Sequence, residues 1–208
     1  QTPAGVVVHN QTFVVKSWTE VIFNHSTVVR FIHMLLATYL TTAFVIIGVS
    51  SHFLLKKQHI EVAKKCLSFS LWVALILAPT QVFVGDAVGL VIHKYQPMKT
   101  AAMEGIWDTQ KGAPFLPFAI IDQENQRNTF SIKVPHGAAL INTHHWDGKL
   151  IGLKTVPRQD QPRVVIVFYA FRIMVGVGLL MLGLLVLAHV LRHRQRLYDH
   201  PLFLKACV

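Results

Sequence analysis

Four side chains in this sequence, His33, Asp86, Arg172 and Met174, stand inside long apolar runs where their chemistry is either costly or useful. Positions four apart on a helix share a face, so His33 lies in line with Ala37 and Thr41, and Met174 lies between Ala170 and Gly178. Small residues beside a ligating side chain leave room for a flat group. A His nitrogen and a Met sulfur would together close the coordination of a haem iron, which would then pass electrons and leave no position for oxygen. The same small residues also suit close helix packing, and a buried Met is often plain core. The two charges narrow the choice. Each costs about 2.5–3.5 kcal/mol within a bilayer, so Arg172 either pairs with Asp86 between helices or neutralises an anionic cofactor.

The elements that must position these residues are membrane helices. Hydrophobic residues make up 52% of the 208 and charged ones only 14%, with a mean hydropathy of +0.45. That balance lies outside the soluble range. A span needs about 20 apolar residues, and three stretches qualify: Phe31 to Leu55, Cys66 to Ile92 with a kink expected at Pro79, and Val164 to Leu191. The connection 56–65 carries Lys56, Lys57, Lys64 and Lys65 against Glu61, and the tail 192–208 carries Arg192, Arg194, Arg196 and Lys205. Excess basic charge beside a span marks the cytoplasmic side. The segment 93–163 then falls outside, and its nine Lys or Arg against six Asp or Glu do not oppose this, because long loops cross regardless of charge. The fold expected is an all-α transmembrane bundle with one long external loop. Before it, residues 1–30 form a lead-in in which Ser17 and Glu20 have capping-box spacing for a short interfacial helix.

The formal net charge of +10 belongs to these topology signals and not to nucleic-acid binding. Cys66 and Cys207 have neither disulfide nor zinc spacing. His144-His145-Trp146-Asp147 is no metal site, since adjacent His side chains diverge. Asn10 and Asn24 begin glycosylation sequons of a kind that chance supplies freely. Trp107, Trp146 and Tyr95 near the loop suit interfacial anchoring as well as ring stacking. The first residue is not Met, no signal-peptide pattern follows it, and PLFLKACV ends as an apolar stretch begins, so both ends are read as cuts.

Three strings carry a family resemblance: Phe168-Tyr-Ala-Phe-Arg-Ile-Met174, Lys99-Thr-Ala-Ala-Met-Glu104-Gly-Ile-Trp107, and Gly85-Asp86. They resemble subunit I of cytochrome bd quinol oxidases, as does Gly148-Lys-Leu-Ile-Gly-Leu-Lys154 leading through Pro157 to Pro162. With about 70 residues between the second and third spans, the chain is similar to the short-loop branch, which includes cyanide-insensitive oxidases. The resemblance implies that His33 and Met174 are the axial ligands of the low-spin haem b558, with Arg172 beside it. It implies that Lys99 and Glu104, in the Q-loop, serve quinol oxidation, Glu104 taking a proton and Lys99 polarising a quinone oxygen or balancing Glu104. Spaced five apart, these two need the loop to fold before they converge. Asp86 would join a proton exit route. The implied activity is quinol:oxygen oxidoreduction in a bacterial cytoplasmic membrane, fed by ubiquinol or menaquinol on the outer, periplasmic side. Lipid, subunit II and an optional small accessory subunit would be its partners. Haem b595 and haem d, or a b-type substitute, would be held by helices outside this stretch, which resembles the middle three of about nine. No GRQPW signature occurs; if this stretch were all there is, oxygen reduction would not be encoded in it, although the protein it came from would perform it. The rival class is a non-catalytic membrane subunit or proton-coupled transporter whose path uses Arg172 and Asp86.

Overall fold

The computed structural model describes residues 2, 4–9 and 12–208, so the Asn10 sequon lies outside the described residues. In chain order, strands β1 (Val6–His9) and β2 (Thr12–Val15) form an antiparallel hairpin with Val6 opposite Val15. Helix α1 (Trp18–Ile22) follows, its first turn closed by the Glu20 amide donating to Ser17 Oγ at 3.4 Å. Two long helices come next, α2 (Thr27–Leu55) and α3 (Ile60–Tyr95). The latter runs through Pro79 as one element.

Both begin before their apolar runs do. Lys64 and Lys65 lie in the first turns of α3, because helix geometry, unlike a bilayer, does not exclude charge. The connection is therefore the short turn 56–59 and not ten residues. After α4 (Pro97–Glu104) come β3 (Gln110–Lys111), β4 (Phe115–Asp122), β5 (Arg127–Val134), α5 (Gly137–Thr143) and β6 (Lys149–Leu150). The long helix α6 (Val164–His193) and the short α7 (Pro201–Cys207) end the chain. The loop is thus structured: β4 pairs with β5 and β3 with β6, each antiparallel, with irregular register between Phe115 and Phe118 and between Ile120 and Ile121. Three two-stranded sheets among the described residues are the strand content of an otherwise helical protein.

Helices α2, α3 and α6 are long and apolar enough to cross a membrane. Only 17%, 11% and 11% of their most apolar windows are buried within the chain itself. Apolar surface on this scale is stable only against lipid or other helices.

Two compact units divide the chain. One comprises Ile32–Val84 and Val175–Val208. Its core sets Leu40, Ala43 and Ile47 against Leu67, Leu71, Ala74 and Ala78, with Leu185, Ala188 and Leu191 of α6 and Phe203 of α7. The Ala residues at four-residue spacing let the helix backbones approach. The other unit comprises Gln1–Phe31 and Gly85–Met174. Its small clusters join Trp107 and Leu153 to Val164, and Leu116 and Ala119 to Phe168, so the hairpin β4–β5 and the Gly148–Lys154 string pack on the first turns of α6.

Candidate functional site

Helix α4 is bracketed by Pro97 at its first position and Gly105 just past its end, the arrangement in which each residue best fits a helix terminus. Gly105 has φ +67°, and a Cβ there would press on the Phe168 ring at 3.3 Å. The chain therefore turns sharply after Glu104. Asn128 of β5 fixes that turn: its amide donates to the Gly105 carbonyl at 2.9 Å and accepts from Trp107 Nε1 at 2.8 Å. Gly152 lies so close behind that a Cβ would overlap the Trp107 carbonyl, which gives the Gly148–Lys154 string its second glycine.

This scaffold buries Glu104 almost completely, at 1% exposure. Arg172 of α6 donates to Glu104 Oε2 at 2.8 Å, and Asn142 of α5 donates to Oε1 at 3.2 Å. A second donor of the same guanidinium, Nε, reaches the Leu116 carbonyl at 2.7 Å. The guanidinium carbon sits 4.5 Å from the Phe115 ring centre, 4.7 Å from Phe168 and 5.4 Å from Phe171. Aromatic faces attract a cation, and a charge-assisted pair away from water is stronger than one on the surface. Arg172 Nη1 remains buried with no hydrogen-bond partner among the described residues.

Arg172 and Asp86 are not partners of each other. Asp86 instead lies 3.1 Å from His144 Nε2, with side chains 38% and 57% exposed. Lys99 and Glu104 do not converge either. Both stand on the single helix α4, where a spacing of five turns them about 140° apart. Lys99 is half-buried, and burial first, then the positive charge of Arg30, holds its ammonium below the ordinary lysine value.

His33 stands on α2, where Gln81 Nε2 of α3 lies 3.2 Å from its Nε2 and its Nδ1 is buried without a partner. Met174 is 55% exposed on α6, and Gly178, one turn on, has nothing within 4 Å of where a Cβ would be. Each fits a haem ligand. The His33 ring has a nitrogen that no other group claims, Met174 is exposed one turn from the open space at Gly178, and Arg172 keeps a spare donor for an anionic group. Asn142, Asn128 and Gln81 are additions to the residues that sequence reasoning singled out, and His144, weighed there only as a metal ligand, instead meets Asp86. Gln81, the one amide in a run of apolar residues, carried the clearest signal.

The family profile described as Cytochrome bd terminal oxidase subunit I matches residues 1–208. The chain belongs to this family. It is 30% identical over 225 residues to the cytochrome bd ubiquinol oxidase subunit 1 of Bacillus subtilis (strain 168), covering 100% of this chain and 47% of that protein. To the cytochrome bd-II ubiquinol oxidase subunit 1 of Escherichia coli (strain K12) it is 32% identical over 149 residues, 71% of this chain and 29% of the other. Its fold matches the structure of bd oxidase from Geobacillus thermodenitrificans with a TM-score of 0.85 at 24% identity, over 99% of this chain and 48% of that one. The cytochrome bd chain described here thus spans less than half the length of these relatives.

Proposed function

We propose that this chain is the quinol-oxidising, haem b558-binding part of a bacterial terminal respiratory oxidase. In the complete enzyme, working with subunit II in the cytoplasmic membrane, electrons from quinol reach the high-spin haems and reduce O2 to water. The observation that carries the proposal is the buried Glu104–Arg172 pair, 2.8 Å apart, with Arg172 two residues from Met174 on the same helix. It links the carboxylate of the loop directly to the helix bearing a haem ligand.

In this reading His33 and the Met174 sulfur would hold the iron, and the spare Nη1 of Arg172 would offer a donor to an anionic group. Held by both ligands, haem supplies one-electron transfer with no site for oxygen. Glu104 orients the quinol hydroxyl and takes its proton. Asn142 and Arg172 hold the carboxylate in one rotamer, so little ordering is left to be done when substrate arrives. Lys99, half-buried on the other side of α4, offers a positive donor to the second quinone oxygen. The loop lies on the outer face, where the protons leave.

The test is a reduced-minus-oxidised spectrum of the complete oxidase carrying His33→Ala or Met174→Leu. Each variant should lose the low-spin b-type signal and retain the high-spin ones. A low-spin signal unchanged in both would disprove the ligand pair.

A further inference from the structure

Quinol oxidation releases two protons and two electrons as two O–H bonds break. Glu104 is 1% exposed, and both of its oxygens already accept hydrogen bonds, from Asn142 and Arg172. A carboxylate so enclosed receives a proton from substrate more readily than it returns one to water. An acid–base group in contact with solvent is needed beside it.

Helix α5 supplies one. Its residue Asn142 holds Glu104 from within, and the residue that caps its C-terminus, His144, reaches Asp86 of α3 with Nε2 3.1 and 3.2 Å from the two carboxylate oxygens. His144 has φ +56°, a left-handed conformation unusual for a residue with a side chain, and its backbone N–H closes the helix on the Leu140 carbonyl at 2.9 Å. The backbone turn that ends α5 thus sends the imidazole to Asp86. An ionised carboxylate only accepts, so the neutral imidazole carries its proton on Nε2 and leaves the Nδ1 lone pair free. Other charged groups near it in the chain are His145 and Asp147, the latter 3.5 Å from His136, and Lys149 on the adjoining β6.

We propose that His144, oriented by Asp86, is the solvent-facing proton relay of quinol oxidation. Resting on the reading of Glu104 as the proton acceptor, it extends that role to a residue 40 positions further along the chain, two residues beyond Asn142 at the C-terminal end of α5. Each quinol proton passes in turn to Glu104 and from it, through water, to His144 Nδ1, so that Glu104 is ionised again before the next. The two electrons leave singly to the haem of the proposed function. The imidazolium formed faces Asp86, whose charge stabilises it, and is neutralised by water.

The test compares three variants of the complete oxidase, with ubiquinol-1 and with an artificial donor that bypasses quinol as sources of electrons. H144Q keeps an N–H for Asp86 but cannot carry a proton, and its quinol turnover should fall on the order of 10²-fold while the artificial donor is oxidised at the native rate. H144A should fall likewise and regain turnover when imidazole is added. Native quinol turnover in H144Q, equal loss with both donors, or an H144A defect that imidazole leaves untouched would each overturn the relay. E104A separates the two readings: quinol turnover kept in E104A but lost in H144Q overturns the role of Glu104 and upholds the relay.

Discussion

Leu67 and Glu104 are equally buried, at 0% and 1% exposure, yet their surroundings have nothing in common. Leu67 packs among Leu, Ile, Ala and Phe side chains contributed by four helices. Glu104 is held by a carboxamide and by a guanidinium that itself lies against aromatic rings. The first unit borders on lipid, where apolar contacts gain little from leaving the surroundings, so close packing by small residues has to hold it. The second is folded from a loop that water reaches, and there the expensive step is to remove two charges from water. That step is stabilising only while both partners are present. The proposed acid–base role falls to the second unit, where buried charges are already fixed in place.

The largest effect that should separate the units is Arg172→Met. It leaves Glu104 buried with no opposite charge, and should cost about 3–5 kcal/mol. Thermal unfolding of the purified oxidase in detergent should register it as a large drop in Tm, partly restored in the double variant with Glu104→Leu, which removes the stranded carboxylate. A native Tm in the single variant would show that the pair does not hold the loop. Leu67→Ala should cost less, about 1–2 kcal/mol, because in a bundle solvated by lipid only packing and not transfer from water is lost. If this drop in Tm equalled that of Arg172→Met, the contrast between the units would be void.

The same contrast explains which features were legible in the sequence. The three spans were readable because length and apolarity are local properties. That Arg172 needs a purpose was also readable, since a charge in an apolar run is conspicuous. Its partner was not: Glu104 is 68 residues away, and Asp86, the nearer choice by hydropathy alone, turned out to face His144. Helix α4 could have been found from Pro97 and Gly105, which bracket it, but its eight residues are too few for an apolar period to declare itself. In β5 the alternation of Phe130, Ile132 and Val134 is the signature of a strand with one apolar face. It lay within a stretch that read only as one long external loop. Side chains that position others, such as Asn128 and Asn142, leave no local trace, since their role exists only once β5 and α5 have docked on α4.

The smallest effect belongs to the tip of the β4–β5 hairpin, where hydrogen bonds and one exposed ion pair hold the turn. Asp122 accepts from the Asn125 backbone amide at 3.0 Å, from its side chain at 2.8 Å and from Arg127 Nε at 3.3 Å. These bonds, those of Asn125 foremost, hold the Asp122 carboxyl below its ordinary value. A folded-state pKa lower than the unfolded one means that the fold binds fewer protons. The stabilisation is therefore present in full above the ordinary aspartate value of about 3.9 and disappears as pH falls through the folded value. Amide exchange in Arg127–Val134 should accelerate, relative to α4, when the pH is lowered from about 5 to about 2. Asp122→Asn, which keeps the shape and removes the titration, should abolish that relative change while leaving the pairing of Arg172 with Glu104 intact. An acid response as large in Asp122→Asn as in the native chain would place the sensitive group elsewhere, and the hairpin edge would then not be what acid loosens.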